Sequence, residues 1–484
     1  MKNIAVLCHA LNAGGAERIA GILAKELSKI YKVYFFLIET NEIVYEYGGT
    51  IIDIGSYGTH YETTIRNMKL KLQIDVSISF LETMNFVNLR TRGRERVILS
   101  ERCTLETLIP KIAALDYKVQ TYYNTADEIV VCASGVKYSL IHTYGIDKNI
   151  ITIIYNFINK NLILEKAAEK LDESIQTFLG GTEYFISVGR LHPVKNQARL
   201  IRQFSNFHKD DKSAAKLLIV GSGEKYNELC GLIECFDLQD YVRIIPYNEN
   251  PFKYVARAKA LIVSSHSEGL PNVILEAMVL QCPVIATDCL SGPRELLKGT
   301  ADYQQRVDQY EICRRGILVC DNSTEDNGET CFMADAMRWV GNNKNCVEEI
   351  RKNQEQYMSE YTNEQLLEQW IEVIEKEDRK EIDIYETEKR LIKTAAHVYI
   401  YGAGKVGMEV YEQIKTDFYI EAFIVTEKGA QQDFILGLPV KELDDVAENG
   451  DKSVFIIAVG EKNQDDVVNG LKKRGLDNIV FPFN

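Results

Sequence analysis

Two carboxylates eight residues apart, Glu268 and Glu276, bracket the turn Gly269-Leu270-Pro271-Asn272. The apolar run Ala260-Leu261-Ile262-Val263 ahead of them has the signature of a buried strand, and Val273 to Val279 carries apolar residues at helical spacing. The turn therefore joins a strand to a helix. The first turn of such a helix leaves backbone N–H groups unpaired, and together with the positive pole of the helix these attract phosphate. Glu268 stands just before the turn and Glu276 about one helical turn inside it, so both can accept hydrogen bonds from hydroxyls that flank a diphosphate. The alternative is a capped surface helix with two solvated acids. A second turn, after Ile4–Leu7, puts Gly14 and Gly15 ahead of a helix holding Ala16–Ala24. Glycine lets a backbone approach a ligand closely, which makes these amides candidates for a phosphate or a second substrate; the alternative is a tight structural turn.

Five strings recur in order: Gly14-Gly15-Ala16-Glu17-Arg18, Ser187-Val188-Gly189-Arg190-Leu191-His192-Pro193-Val194-Lys195-Asn196, Val220-Gly221-Ser222-Gly223-Glu224, the Glu-x7-Glu segment, and Pro283-Val284-Ile285-Ala286-Thr287-Asp288. In order and spacing, residues 1–375 resemble the family 4 retaining glycosyltransferases, whose GT-B fold pairs two Rossmann-like domains across a cleft. The resemblance implies a UDP-sugar donor, with Glu276 on the ribose diol and Glu268 on donor-sugar hydroxyls. It implies backbone contacts to sugar and phosphate from Gly269, Leu270, Pro271, Asn272 and Val273, with Gly14, Gly15 and Gly221 also on the donor. Arg190 and Lys195 follow a strand end, where open α/β sheets present ligands. A bidentate fork and a point charge there suit the negative charge that builds on a leaving phosphate. The catalytic set is then Arg190, Lys195 and Glu268.

Many relatives carry a histidine after the fourth strand of the first domain. Here Val97–Leu99 is followed by Ser100-Glu101-Arg102, so Glu101 and Arg102 become the acceptor-side candidates, with a plain Glu–Arg pair as the alternative. Relatives of this fold generally work without a divalent ion; seven isolated histidines and no Asp-x-Asp at a strand end predict no metal and no cofactor. The segment Arg90-Thr91-Arg92-Gly93-Arg94-Glu95-Arg96, in the acceptor-holding half, is predicted either to touch anionic lipid or a phosphorylated polyprenyl acceptor, or to be a solvated loop. Ser291-Gly292-Pro293-Arg294-Glu295-Leu296 resembles transferases of galactose-type and N-acetylated sugars.

The elements needed to position these residues are legible as alternating strand and helix signals, the pattern of parallel α/β sheets. Strands are predicted at Ile4–Leu7, Val33–Ile38, Val76–Phe80, Val97–Leu99, Ile129–Cys132 and Thr152–Ile154. A second series runs through Tyr184–Val188, Leu217–Val220, Val242–Ile245, Leu261–Val263, Val284–Ala286 and Ile317–Val319. The expected division is an acceptor-side domain at 1–170, a donor-side domain at 171–375 whose last helix crosses back, a charged linker with few crossing contacts at 376–390, and a small Rossmann-like domain at 391–484. That third unit opens with a strand, His397–Tyr401, and the fingerprint Gly402-x-Gly404-x2-Gly407 leading into a helix. It resembles the N-terminal domains of bacterial sugar acyltransferases and is expected to bind or to assemble the protein into a homo-oligomer rather than to catalyse.

Composition sets the class. The 484 residues, 46% hydrophobic, allow about three packed domains, and a net charge of −14 argues against a nucleic-acid partner. Eleven cysteines without C-x2-C pairs read as reduced thiols. With no signal-peptide core and no long uncharged apolar stretch, the expectation is a cytoplasmic protein, peripheral at the inner face of the cell membrane. The function expected is transfer of a hexose or N-acetylhexosamine from a UDP-sugar to a glycan or lipid-linked saccharide in bacterial surface polysaccharide synthesis. The alternatives are a non-catalytic nucleotide-sugar-binding subunit or a GT-B-like UDP-sugar epimerase.

Overall fold

The computed structural model describes all residues except 13, 106–112, 212–213, 248–249, 301, 304, 322–331, 428–432 and 483–484. Its strands form three sheets. The first contains β1 (Asn3–Cys8), β2 (Lys32–Leu37), β3 (Thr50–Asp53), β4 (Val76–Phe80), β5 (Arg96–Glu101), β6 (Glu128–Val131) and β7 (Ile151–Ile153), in the spatial order 3-2-1-4-5-6-7 and parallel throughout. The second contains β8 (Tyr184–Val188), β9 (Lys216–Val220), β10 (Val242–Ile245), β11 (Ala260–Val263), β12 (Val284–Thr287), β13 (Tyr310–Cys313) and β14 (Gly316–Val319), in the order 10-9-8-11-12-14-13. Only β13 of that sheet runs antiparallel. Central strands such as Val76–Phe80 and Ala260–Val263 are buried at every position, which is why they read as continuous apolar or small-residue runs rather than alternating ones.

Edges were harder to see. β3 and β13 are absent from the expected strands; no residue of β3 and only Cys313 of β13 is buried, so neither is marked by a buried apolar run. The third sheet holds β15 (His397–Tyr401), β16 (Ala422–Val425), β17 (Phe434–Ile435), β18 (Leu438–Glu442), β19 (Ser453–Ile457) and β20 (Ile479–Val480), in the order 17-18-16-15-19-20. All of its pairs are parallel except β17 with β18.

Two chain crossings join the first two sheets. After β7 the chain passes through Tyr155–Ile158 into the second unit, and helix Asn363–Glu375 returns to the first. The crossings are tied together: the Ile158 amide donates to Asn363 Oδ1 and Asn363 Nδ2 to the Ile158 carbonyl, each at 3.0 Å. The returning helix buries Trp370 completely, its ring stacked on Phe80 with centroids 6.5 Å apart, and ends where Lys2 Nζ meets Glu375 Oε2 at 2.8 Å.

The charged segment after that helix corrects two expectations. It is not a boundary with few crossing contacts: Lys376 pairs with Glu128 at 2.7 Å, Asp378 with Arg96 at 2.8 Å and Asp383 with Arg66 at 2.5 Å, and Arg92 donates to the Lys380 carbonyl at 2.9 Å. Nor do the arginines of 90–96 meet solvent or lipid as a set. Arg90, Arg92 and Arg96 are at most 4% exposed, and of the four only Arg94 is exposed. Each buried guanidinium has an acid of the first unit beside it, Glu62, Asp127 and Glu128 respectively, and also bonds to the C-terminal part of the chain. Arg90 reaches the Phe481 and Pro482 carbonyls at 3.2 and 3.0 Å. A buried charge is tolerated only when it is paired and hydrogen-bonded; here Arg92 and Arg96 hold the charged segment and Arg90 the end of the third unit.

Candidate active-site cleft

The carboxyl ends of the strands in the first two sheets face each other, and the loops leaving them carry the polar residues. Helix Asn272–Val279 follows β11, and its N-cap, Pro271, lays no side chain over the first-turn amides. Opposite stands helix Gly15–Leu27, capped by Gly14, again without a side-chain bond. Only glycine fits at several of these places. A Cβ on Gly269 would lie 1.8 Å from the Arg102 carbonyl of the other half, and one on Gly15 would come within 3.3 Å of Asn272 Nδ2. Gly14 sits under the Glu17 carboxylate, and a Cβ on Gly221 would meet the Gly189 carbonyl at 2.0 Å, so the glycine at 221 is already required by the approach of two loops within its own half.

Lys195 Nζ donates to Glu268 Oε1 at 2.7 Å, which joins two of the three expected catalytic groups; Glu268 is 9% exposed. Lys195 is held by the short helical turn Pro193–Lys195, whose His192 cap accepts from the Val194 amide, and its carbonyl receives Ser264 Oγ at 2.8 Å. Arg190 is exposed, and its guanidinium makes no ion pair among the described residues. Glu276 is paired across the cleft: Arg18 Nη1 donates to its Oε1 at 2.7 Å, and although burial opposes the charge, Glu276 more than compensates and raises the Arg18 pKa.

The loop Leu270–Asn272 is held from the other half by one side chain. Asn156 Nδ2 donates to the Leu270 carbonyl at 3.0 Å and to Asn272 Oδ1 at 2.8 Å, and its Oδ1 accepts from Arg102 Nη1 at 3.2 Å. Leu270 and Pro271 are buried, whereas Val273 is partly open. Two more contacts close the halves together: Thr104 Oγ1 and Ser267 Oγ at 3.2 Å, and Glu295, which accepts from the Ser134 amide at 2.8 Å and from Ser134 Oγ and Tyr155 OH at 2.6 Å each.

Glu101 and Arg102 are both buried. Glu101 has no exposure; its oxygens accept from Tyr123 OH at 3.0 Å, Asn85 Nδ2 at 3.3 Å and the Arg102 amide at 3.1 Å. The Arg102 guanidinium lies over the rings of Phe80 and Trp370, 5.3 and 5.8 Å from their centroids. A Glu-Arg string at a strand end says nothing of which way its side chains turn; here Glu101 turns onto Tyr123 and Asn85, and Arg102 onto two aromatic rings. Burial, then Glu82, pushes the Glu101 carboxyl up to about 8. Its ordinary value is 4.5, so between these limits the folded state holds a proton that the unfolded state has lost, and stability falls as pH rises through that window. Glu101→Gln is therefore expected to stabilise the fold at pH 8 by an amount on the order of 2–4 kcal/mol, seen as a higher thermal midpoint, and to change little near pH 4.5. Scanning calorimetry at both values tests this; an equal effect at both excludes the titration.

Glu82, Glu101 and Cys103 place ligand atoms within 4.8 Å of one another, a metal-like spacing that no sequence motif announced. Burial favours the protonated form of all three. In the third unit Gly402 has φ +121° and a Cβ there would meet the Ala458 carbonyl at 2.3 Å, while one on Gly407 would lie 1.8 Å from the Gly402 carbonyl. Two glycines of the fingerprint thus serve helix–strand packing. Gly404, at the cap of helix Lys405–Ile414, faces open space.

Comparison with known proteins agrees with this architecture. The fold is GT-B. Residues 169–305 match the family model for glycosyl transferases group 1. The chain is 29% identical over 316 residues, 61% of its length and 83% of the relative's, to the N-acetylgalactosamine-N,N'-diacetylbacillosaminyl-diphospho-undecaprenol 4-alpha-N-acetylgalactosaminyltransferase of Campylobacter jejuni. It is 24% identical over 392 residues, 77% of its length and 98% of the relative's, to a second N-acetylgalactosaminyltransferase of that organism. Among solved structures, Anabaena HepE with UDP and glucose superimposes with a TM-score of 0.62 at 16% identity, over 77% of this chain and 99% of that one. Together these support a glycosyltransferase, with relatives in bacterial polysaccharide and lipopolysaccharide synthesis. No helix among the described residues is long and apolar enough to cross a membrane.

Arg18 and Asn156 are the residues that sequence reasoning passed over. Arg18 lay inside a quoted string, three positions after Gly15 and so on the same helical face. Asn156 had no signal; it is a lone amide in a loop.

Proposed function

We propose that the chain is a retaining, metal-independent glycosyltransferase that moves a hexose or N-acetylhexosamine from a UDP-sugar to a glycan or lipid-linked saccharide at the cytoplasmic face. The observation that carries the reading is the convergence of Glu268, Lys195, Glu276 and the first turn of helix Asn272–Val279 on one cleft. Glu276 suits the ribose diol, since an ionised carboxylate is acceptor-only and can take both hydroxyls. The amides after Pro271 suit the diphosphate. Lys195 and Arg190 suit the charge that grows on the β-phosphate as the glycosidic bond breaks, and Glu268 beside Lys195 suits a donor-sugar hydroxyl. The relatives named for undecaprenol-linked N-acetylgalactosamine acceptors, and the neighbour solved with UDP and glucose, support donor and acceptor classes alike. Retention follows from the family resemblance.

Incubating the protein with a panel of UDP-sugars, with and without lipid-linked saccharides, and following UDP release and the anomer formed tests the whole reading; no release from any donor would overturn it. Glu276→Gln is expected to weaken UDP binding by about 1–3 kcal/mol, roughly 5- to 150-fold, because the amide offers one acceptor oxygen in place of two. Unchanged affinity in calorimetry would remove Glu276 from the site.

A further inference from the structure

The carboxylate assigned to the ribose is already occupied by a cation from the other half. Glu276 has a side chain only 10% exposed, and a carboxylate so far from water needs a partner while the cleft is empty; Arg18 supplies it at 2.7 Å. Two ribose hydroxyls that take the carboxylate oxygens compete with Arg18 for Oε1, and a guanidinium displaced from it needs another acceptor. The incoming molecule carries one. Its diphosphate hangs from the same ribose, and Arg18 stands in the first turns of helix Gly15–Leu27, whose N-terminus meets Asn272, the first residue of helix Asn272–Val279. Two positive helix ends and a guanidinium therefore converge beside Glu276, and a guanidinium on a flexible stem needs no backbone movement to change partners.

Resting on the donor reading above, we propose that Arg18 selects nucleoside diphosphates over nucleosides by an exchange of partners: it holds Glu276 in the empty cleft and passes to the diphosphate when the ribose displaces it. A nucleoside must break the Arg18–Glu276 pair and gives nothing back. A nucleoside diphosphate breaks the same pair and gives the guanidinium a second anion in exchange, so the arginine penalises the first and rewards the second.

Removal of Arg18 should weaken one ligand and not the other. Calorimetry on the full chain with UDP, and with uridine by competition, is expected to give about tenfold weaker UDP binding for Arg18→Gln, with uridine binding unchanged or several-fold tighter. Arg18→Lys, which keeps a point charge without the fork, should fall between Arg18→Gln and the unsubstituted chain for UDP and confirms that any loss is not a failure to fold. A loss of the same factor for both ligands overturns the exchange, because Arg18 would then only orient Glu276, and unchanged UDP affinity overturns it as well. If the unsubstituted chain binds neither ligand, the donor assignment itself fails and the exchange with it.

Discussion

Lys195→Ala is expected to lower turnover of the UDP-sugar by about 10²- to 10³-fold while weakening UDP binding far less. The ammonium sits 2.7 Å from Glu268, and on the function proposed above both groups hold the leaving diphosphate and the sugar it leaves. Its charge is worth most when the β-phosphate acquires its own, so the loss belongs to the transition state. Glu268, 9% exposed, also loses its counter-charge, which adds to the barrier rather than to ground-state binding. Steady-state rates set against UDP affinities from calorimetry separate the two. Lys195→Arg should recover part of the rate. Normal turnover in the alanine variant would remove Lys195 from the reaction, and a fall in affinity as large as the fall in rate would make it a ground-state contact.

The second large effect concerns the third unit. Deleting residues 388–484 is expected to destabilise the first half, not to leave it intact as the charged segment alone suggested. Phe481 packs edge-on against Phe86 at 6.2 Å, Tyr122 donates to Glu388 Oε1 at 2.6 Å, and Tyr117 donates to the Ile479 carbonyl at 3.1 Å. Uncovering Phe86, Tyr117 and Tyr122 costs roughly 1.5–3 kcal/mol for each large side chain returned to water, a sum comparable with the whole margin of about 5–15 kcal/mol. The thermal midpoint should drop by about 10 °C or more, or the product should be insoluble. Glu388→Ala tests the same contact in a full chain: it leaves Arg90, 2% exposed, with one partner fewer and should cost about 3 kcal/mol. A truncated chain melting where the intact one does would show that the two units only touch.

Which features could be read in the sequence follows from what each depends on. Central strands such as Val76–Phe80 and Tyr184–Val188 were legible to the residue, because a strand buried on both faces is made of apolar and small residues. The Glu268–Glu276 spacing was legible because chemistry and helix geometry constrain it together. The fates of Glu101, Arg102 and the arginines of 90–96 were not, since charge on a side chain predicts solvent only until a distant acid or ring is brought to it. Arg90 meets the Pro482 carbonyl 392 positions later and Arg96 meets Asp378 282 positions later; no local pattern encodes such partners.

Those separations also set a schedule. A ribosome adding about 5–20 residues per second completes strand β5 roughly 15–60 s before Asp378 exists. During that interval the arginines cannot wait bare inside a folding sheet. Arg92 finds Asp127 only 35 residues on and Arg96 finds Glu128 only 32 residues on, within seconds of their own synthesis. The nascent first half can thus neutralise its own charges early, and what it lacks until the end of translation is an apolar cover. A chaperone that binds exposed aromatic surface would find Phe86 and Tyr122 open for the whole time the donor half is being made.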